Sequence, residues 1–494
     1  MPKRTVYLGL ALPPQSGSLP AFRWLYSALR GQILAGRLRP GARLPATREL
    51  AKQYGLSRGT IVNAFELLKS EGYTEGTIGS GTYVSKILPE EWMNVRVCGG
   101  STHKKHRQTN RHLSAYGRQV SLFPGYDNRP TRAFRANVPA LDVFPIELWT
   151  QITARVLRRI STNHLLGCEP MGYEPLRQAV ADYLSSSRGV NCEPAQVAIV
   201  SGVQEGLDLA ARLFVNSGDR VCMEQPGFGG AAQVFEAIGA RVSTIALDDQ
   251  GIKLQERCLR GARLVYVTPG HQFPLGITMS LARRLELLKW ANRSGSLIFE
   301  DDYDGEFRYS GRPISALQGL DHSGCVLYAG SFSKILFPSL RLAYLVVPAD
   351  LVDHIAAAKS LTTRHAPVLD QAVLCEFITE GHFGRHVRRM RELYATRLSA
   401  LLESARQELA GLLQVSSIEA GLQTVGWLQQ GIREESAARA ARECNVDVTP
   451  LSRYCRRPLA RQGLQLGFAG VDPREIQRGV RDLASALRST IIHR

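Results

Sequence analysis

The chain has 494 residues, of which 44% are hydrophobic, and its formal net charge at pH 7 is +17. This length allows about three domains, and the hydrophobic fraction is enough for large buried cores, which excludes a disordered or fibrous chain. The nine cysteines form no Cys-x-x-Cys pair. We therefore expect reduced thiols in the cytoplasm, with neither a disulfide framework nor a metal site. We find no cleavable signal and no segment apolar enough to span a membrane, so no membrane partner is expected.

Positive charge is concentrated near the N-terminus. Residues 1–130 contain 19 Lys and Arg against 7 Asp and Glu, a net charge of +12 that leaves +5 for the rest of the chain. Such an asymmetry indicates an anionic partner for the N-terminal part. Charge alone favours that interpretation no more than a basic, solvated surface.

Three helices are predicted in the first 70 residues. Leu25, Leu29 and Ile33 recur at helical spacing and indicate the first helix. The second is predicted from Thr47, as its N-cap, to Tyr54, and Ser57 is predicted to cap the third. The inward face of the third helix carries Ile61, Ala64, Phe65 and Leu68.

The third helix has the position of a recognition helix in a helix-turn-helix. Its first turn holds Arg58, Gly59 and Thr60, where side chains and backbone N–H groups can reach base edges and phosphates in a major groove. A cation in the first turn opposes the helix dipole. DNA contact therefore explains Arg58 better than a solvated surface position does.

A glycine-rich hairpin is predicted next, over residues 72–84, and it suits close approach to a DNA backbone. Together with the segments RPGARLPATRELA and GLSRGTIVNAFELLKSEG, it resembles the winged helix of GntR-type bacterial regulators. The resemblance implies binding to double-stranded operator DNA. The candidate DNA-binding residues are Arg43, Thr47, Arg48, Ser57, Arg58, Gly59, Thr60, Gly79 and Gly81. For the three arginines, a solvated surface position is the alternative.

The chain is predicted to consist of a winged helix-turn-helix domain over residues 1–86, a flexible basic linker over 87–129 and a large domain over 130–494. The linker is poor in apolar periodicity and rich in basic residues. In the large domain, helical patterns alternate with short apolar runs, which is typical of an α/β domain with a mostly parallel sheet and helices on both faces. The apolar runs lie at 197–200, 220–223, 241–245, 264–267, 297–299 and 326–328.

A lysine and an acidic run follow two of these predicted strands, and α/β proteins place ligand groups at the carboxyl ends of their strands. Pyridoxal phosphate (PLP) needs an amine for its aldehyde and a carboxylate for its ring nitrogen. It also needs a donor for its phenolic oxygen and cations or N–H groups for its phosphate. Lys334, Asp301, Tyr303 and Arg341 match these four needs in that order.

Further candidates surround that set. The Ser331 hydroxyl can reach the phosphate, and the N–H groups of Gly202, Val203 and Gln204 open a predicted helix, which makes an anion site. Phe228 is placed to stack on the cofactor ring.

The segments MGYEPLRQAVADYLSSSRGV, EDDYDGEFRY and SFSKILFPSLRLAY resemble fold-type-I aminotransferases over residues of about 130 to 494. Combined with the winged helix, they resemble the MocR subfamily of GntR-type regulators. The resemblance implies a smaller C-terminal α+β part, PLP held as a Schiff base on Lys334, and a homodimer that binds paired half-sites. It favours Asp301 over Asp302 as partner of the ring nitrogen. It places His271 near the phenolic oxygen, with a core or surface role as the alternative.

Two departures from the catalytic relatives bear on the site, and a third residue is a candidate to compensate for one of them. Gln465 stands where they carry an arginine for the substrate α-carboxylate, and its loss removes a bidentate partner. Arg453 is the candidate that replaces it in binding an effector, with a structural role as the alternative. Phe273 occupies the position of the usual asparagine.

The sequence predicts a cytoplasmic transcriptional regulator that holds PLP and senses PLP itself or an amine or amino acid. Genes of PLP synthesis, PLP salvage or amine metabolism are the expected targets. The alternative is an active PLP-dependent aminotransferase with an accessory DNA-binding head, in which Lys334 would be catalytic. A dimerisation platform without cofactor is a third possibility, which the joint presence of the PLP candidates opposes.

Overall fold

The computed structural model describes Leu12 and residues 20–77, 81–88, 112–122, 130–310 and 314–492. The chain forms two compact units, residues 1–110 and 111–494. Most of the linker predicted over 87–129 lies outside the described residues, so its bounds stay a prediction. Among the helices of the described ranges, none has both the length and the apolar character that a membrane span requires.

The first unit is a winged helix-turn-helix, as predicted. Its three helices pack their apolar faces together, and its two strands pair as an antiparallel hairpin. The elements are α1 (Ala21–Leu34), α2 (Thr47–Tyr54), α3 (Arg58–Ser70), β1 (Thr74–Thr77) and β2 (Gly81–Val84).

The two predicted helix caps have different outcomes. Ser57 caps α3, since its hydroxyl accepts from the Thr60 backbone N–H at 3.1 Å. The N-cap prediction for Thr47 was wrong by one residue, because Ala46 is the N-cap and Thr47 is the first helical residue of α2. Alanine has no oxygen with which to cap, and the carboxylate of Glu49 instead accepts from the Ala46 N–H at 3.3 Å.

The second unit is built on an eight-stranded sheet in the order β3-β10-β9-β8-β7-β4-β5-β6. Each predicted apolar run lies in one of its strands, and the mostly parallel sheet is confirmed. The sequence did not predict β10, which lies antiparallel between β3 and β9. The strands are β3 (Val197–Val200), β4 (Arg220–Gln225), β5 (Arg241–Asp248), β6 (Gly251–Ile252), β7 (Ala262–Val267), β8 (Leu297–Asp302), β9 (Val326–Ser331) and β10 (Ala343–Val346).

Helices cover both faces of this sheet, and each face has its own apolar core. Alternate residues of each strand enter opposite cores, because side chains along a strand alternate between its faces. The helices are α4 (Ala115–Gln119), α5 (Ile146–Arg159), α6 (Thr162–Leu166), α7 (Glu174–Arg188), α8 (Val203–Phe214), α9 (Gly229–Ala237), α10 (Glu256–Leu259), α11 (Leu281–Ser294), α12 (Phe332–Ile335), α13 (Val352–Thr362), α14 (Val368–Thr379) and α15 (His382–Glu408).

The smaller C-terminal α+β part is also confirmed. It is a four-stranded antiparallel sheet in the order β11-β12-β14-β13, and α16 and α17 contribute to the apolar core beside it. Its elements are β11 (Leu413–Val415), β12 (Gln423–Leu428), α16 (Glu434–Glu443), β13 (Thr449–Pro450), β14 (Gly463–Gly467) and α17 (Pro473–Ile492).

Gly172 lies directly before α7 with φ of +110°, and a Cβ there would meet the Ile199 side chain of β3 at 2.7 Å. We expect Gly172→Ala to lower the free energy of unfolding by roughly 2–4 kcal/mol, because backbone strain and overpacking act together. Exposed Gly384 in α15 is the matched control, since a Cβ there would meet nothing within 4 Å. Gly384→Ala should raise stability by about 0.5–1 kcal/mol. Calorimetric unfolding of both variants checks this, and equal effects would contradict it.

Candidate functional site

The acidic run divides between the two faces of the sheet where β8 ends. Asp302 lies on the α7 side, where its Oδ2 is 2.7 Å from the Arg188 guanidinium and accepts from the Tyr328 hydroxyl at 2.7 Å. Asp301 lies on the opposite side, where its Oδ2 accepts from the Tyr266 hydroxyl at 2.7 Å. Asp301 Oδ1 is buried and has no hydrogen-bond partner among the described residues. Asp301 is therefore the carboxylate with a free oxygen, which supports it over Asp302 as the partner of a ring nitrogen.

The environment of Asp301 favours its protonated form. Burial raises its pKa to about 7, the Tyr266 hydrogen bond opposes that rise, and the neighbouring carboxylates Asp302 and Asp304 add to it. A buried carboxyl of this kind would gain from a cationic hydrogen-bond donor at Oδ1. A pyridinium N–H is such a donor.

Lys334 lies in α12, a short helix that begins where β9 ends, and its amine donates to the Asn137 carbonyl at 3.2 Å. Burial lowers the pKa of this amine to about 8, Asp304 and Asp301 oppose the decrease, and Arg341 adds to it. A larger fraction of the amine is therefore neutral near pH 7 than for an ordinary lysine. The neutral amine is the form that reacts with an aldehyde.

The candidates for phosphate binding meet at the start of α8. Gly202 is its N-cap, and Val203 and Gln204 form its first turn, where N–H groups have no intrahelical acceptor. The Arg341 guanidinium would be 3.1 Å from a Cβ at Gly202, so the absence of a side chain lets that cation lie against the helix start. Ser331 is buried at the end of β9.

Aromatic and polar residues form the other side of the site. Phe228 precedes α9, and its ring meets Phe273 edge to face at 6.0 Å, while Phe273 contacts Tyr303 in the same way at 5.8 Å. The Tyr303 hydroxyl lies 3.1 Å from His271 Nδ1, and that nitrogen lies 2.9 Å from an Asp304 carboxylate oxygen.

His271 therefore belongs to a buried polar chain. Its Nε2 has no partner among the residues that the structure describes, and a Cβ at Gly421 would lie 2.1 Å from its ring. The sequence analysis did not assign a role to Asp304. Its place in the run Glu-Asp-Asp-Tyr-Asp was the available signal, because a fourth acid, beside a tyrosine, needs a partner when buried.

Gln465 and Arg453, the residue that departs from the catalytic relatives and its predicted replacement, differ in burial. Gln465 is fully buried in β14, and its Oε1 accepts from the Tyr454 hydroxyl at 2.6 Å. Arg453 is exposed on the short turn Leu451–Tyr454. The Tyr454 ring in turn lies edge to face on Phe273 at 4.9 Å. The sequence analysis missed Tyr454 and Asn137, since neither carries a motif of its own.

The described DNA-binding candidates all lie in the first unit. Arg58 and Gly59 are exposed at the start of α3, and Arg48 is exposed on α2. The hydroxyls of Ser57 and Thr60 are 2.8 Å apart, so Ser57 is engaged in capping.

The remaining candidates of this unit lie around α2 and the wing. Thr47 is half-buried, and the Arg43 guanidinium would be 2.9 Å from a Cβ at Gly81 in β2. Gly79 lies outside the described residues. Arg48 and Arg58 are therefore exposed on the second and third helices, the two elements that a helix-turn-helix presents to DNA.

The donor set of the second unit fits PLP. A buried carboxylate has one free oxygen, a lysine amine has a lowered pKa, and a helix start with a guanidinium offers an anion site. Within the described ranges, no group of His, Cys, Asp and Glu side chains could hold a metal ion.

Comparisons with known proteins agree with both halves of this description. Residues 139–483 match the family "Aminotransferase class I and II", and residues 23–84 match "Bacterial regulatory proteins, gntR family". The chain is 39% identical to the probable rhizopine catabolism regulatory protein MocR of Rhizobium meliloti, over 96% of this chain and 94% of that protein. It is 28% identical to the pyridoxine biosynthesis transcriptional regulator PdxR of Corynebacterium glutamicum, over 97% of this chain and 98% of that protein.

Solved structures match the second unit's fold. A kynurenine aminotransferase of Pyrococcus horikoshii superposes with a TM-score of 0.67 at 29% identity, over 72% of this chain and 90% of that chain. LysN, an α-aminoadipate aminotransferase of Thermus thermophilus complexed with N-(5'-phosphopyridoxyl)-L-leucine, gives the same TM-score and identity over 73% and 93%.

Asp301 should make the cofactor-free protein sensitive to pH. A carboxyl whose pKa rises from 3.8 unfolded to about 7 folded favours folding below the lower value, and this advantage is lost as the pH rises through about 7. We expect Asp301→Asn to raise the free energy of unfolding by roughly 1–3 kcal/mol at pH 8 and by less at pH 5. Chemical unfolding of the cofactor-free chain at both pH values measures this.

Asp302→Asn is the matched control for that comparison. It removes the carboxylate from a buried Arg188, so it should cost about 3–5 kcal/mol at both pH values. A gain for Asp301→Asn that is equal at pH 5 and pH 8 would contradict the role given to its raised pKa.

Proposed function

Because the chain belongs to the MocR subfamily of GntR-type transcriptional regulators, we propose that it is a PLP-dependent, DNA-binding regulator that senses PLP or an amine. Two observations on buried groups carry the proposal, in a chain that also has a winged helix. Asp301 Oδ1 has no hydrogen-bond partner among the described residues, and the Lys334 amine has a lowered pKa. A buried acid and a buried amine are costly to keep without a ligand.

The residues of the site have distinct roles in this proposal. PLP supplies an aldehyde that reacts with amines and a ring that withdraws electrons. Lys334 provides the covalent attachment, and Asp301 keeps a proton on the ring nitrogen. The hydroxyl of Tyr303, backed by His271 and Asp304, donates to the phenolic oxygen. The groups that would hold the phosphate are Arg341, Ser331 and the N–H groups of Gly202, Val203 and Gln204, and Phe228 would stack on the ring.

The first unit binds operator DNA through the exposed start of α3 and through Arg48. A homodimer would present two such heads to paired half-sites. The linker over 87–129 would connect each head to its sensing domain, in the bacterial cytoplasm. The names of the two regulators compared above refer to rhizopine catabolism and pyridoxine biosynthesis, so amine metabolism and PLP synthesis are both proposed as target pathways.

An active aminotransferase with an accessory head is not favoured. Two named regulators match nearly the whole chain, while the enzyme structures cover only about its last three quarters. Gln465 also lacks the guanidinium that would hold a substrate carboxylate through two parallel hydrogen bonds.

Lys334→Ala should abolish the visible absorbance of lysine-bound PLP in the full-length protein, because Lys334 is the amine assigned to the aldehyde. In the unmodified chain the rate of attachment should rise as the pH increases through about 8, since the neutral amine reacts. Lys289→Ala, an exposed position on α11, is the matched control and should behave like the parent. PLP-dependent binding to operator DNA selected from a random pool, lost with Lys334→Ala, completes the test. Retained absorbance in Lys334→Ala would refute the assignment, and turnover of amino acids without DNA binding would favour the enzyme.

Arg58→Ala should weaken binding to the same operator by roughly 1–3 kcal/mol, because a bidentate contact to a base is lost. Lys69→Ala removes one positive charge from the other end of α3 and serves as the matched control. It should change the affinity by much less at the same salt concentration. Equal losses for both variants would mean that α3 contributes only its overall charge.

A further inference from the structure

Two buried glutamines share one face of the small C-terminal sheet. In the antiparallel pair of β12 and β14, Val425 is opposite Gln465 and Gln423 is opposite Gly467. Opposed residues, and residues two apart on a strand, project from the same face. Gln423 and Gln465 are therefore diagonal neighbours there, with exposed fractions of 1% and 0%.

Each glutamine uses its oxygen and leaves its nitrogen without a partner. Gln465 Oε1 accepts from the Tyr454 hydroxyl at 2.6 Å, and Gln423 Oε1 accepts from the Asn137 N–H at 2.9 Å. Neither Nε2 atom has a hydrogen-bond partner among the described residues. A buried, unsatisfied amide costs about 1–3 kcal/mol and calls for an explanation.

Both amides are connected to the residues assigned to PLP. The Asn137 residue that holds Gln423 also accepts from the Lys334 amine at 3.2 Å.

Gln465 reaches the same region through aromatic rings. Tyr454, which holds its oxygen, packs on Phe273 at 4.9 Å, and Phe273 packs on Tyr303 at 5.8 Å. The two unsatisfied amides therefore belong to the walls of the PLP site.

The charges around these amides oppose a carboxylate ligand. Three buried carboxyl groups, Asp301, Asp304 and Glu224, lie in the same site, and Glu224 Oε1 is also without a partner in the described part of the chain. The cations Lys334 and Arg341 are assigned to the aldehyde and the phosphate. A desolvated carboxylate would lack the guanidinium fork that it needs. A hydroxyl or a carboxamide carries no charge and can both donate to and accept from an amide.

We propose that the effector is an amine whose other polar group is neutral, a hydroxyl or a carboxamide, and that Gln465 and Gln423 bind this group. The inference rests on the proposed function, in which the PLP site reads an amine.

The test compares matched pairs of amines on the full-length, PLP-loaded protein. Each pair has the same carbon chain and differs in one group: ethanolamine against glycine, propanolamine against β-alanine, butanolamine against γ-aminobutyrate, and L-alaninamide against L-alanine. The readout is the concentration that gives half of the change in the visible absorbance, corrected with the same titration of free PLP. In at least one pair, the half-effect concentration of the neutral member should be lower than that of the carboxylate by a factor of about 10 or more.

Two substitutions assign the preference to Gln465. Gln465→Arg should reverse it, because a guanidinium holds a carboxylate. Gln465→Met has a similar volume and no donor, so it should reduce the preference to within about 2-fold even if the arginine variant fails to fold. Arg439→Gln, at an exposed position on α16, is the matched control and should leave the preference of the parent unchanged.

The outcomes separate this inference from the proposed function. If the protein shows no absorbance of lysine-bound PLP, both the proposed function and this inference are contradicted. If the protein binds PLP but prefers the carboxylates, or responds to no member of the series, only this inference is contradicted. A neutral preference that survives in Gln465→Met, or that disappears in Arg439→Gln, would also overturn it.

Discussion

The alternation of side chains along β8 is the constraint on which the site depends. It places Asp301 and Asp302, neighbours in sequence, on opposite faces of the central sheet. Arg188 and Tyr328 satisfy Asp302, which becomes part of the core on that face. Asp301 retains one oxygen that has no hydrogen-bond partner in the described part of the chain. A shift of one residue in the register of β8 would exchange the two carboxyl groups and remove the site.

The ionisable groups of the site are held away from their ordinary states. Burial raises the pKa of Asp301 and lowers that of Lys334, so that both have pKa values within about one unit of 7.5. His271 Nε2 and the Nε2 atoms of Gln423 and Gln465 are also buried without a hydrogen-bond partner among the described residues. The cofactor-free fold therefore contains several buried polar groups that lower its stability. A ligand that satisfies these groups stabilises the folded chain by mass action. The free energy that these groups cost the cofactor-free protein therefore contributes to the affinity for a ligand that satisfies them.

The helices with periodic apolar residues, the strands with apolar runs and the functional residues that follow those strands were predictable from the sequence. The run Val197–Val200 is a strand with the predicted bounds, because four consecutive apolar residues before a helical pattern allow few other structures. The strand Ala343–Val346 escaped prediction, since its antiparallel place between β3 and β9 depends on pairing across the sheet. The wrong cap at Thr47 has a local cause, as a glutamate within the helix takes over the capping hydrogen bond.

Within the site, residues in motifs were predictable and their partners were not. Lys334 and Asp301 stand in the segments SFSKILFPSLRLAY and EDDYDGEFRY, which resemble those of fold-type-I aminotransferases. Asn137 and Gln423 lie far from these segments in sequence, and they reach the site only because the small sheet and the segment before α5 fold against it. No periodicity or spacing reports such contacts, which arise from tertiary packing.

Sensing and catalysis make different demands on one PLP site, and Gln465 is the residue at which this site differs from that of a catalytic aminotransferase. Catalysis requires groups that stabilise a transition state more than the bound substrate, which begins with a substrate held in a reactive orientation. A sensor needs only a ligand whose affinity differs between two arrangements of the protein. Replacing a guanidinium fork by an amide weakens orientation of a carboxylate yet keeps a directional hydrogen bond for a neutral group. The site that results can retain the cofactor residues in full, because holding and reading an amine uses the same lysine and the same aspartate as turning it over.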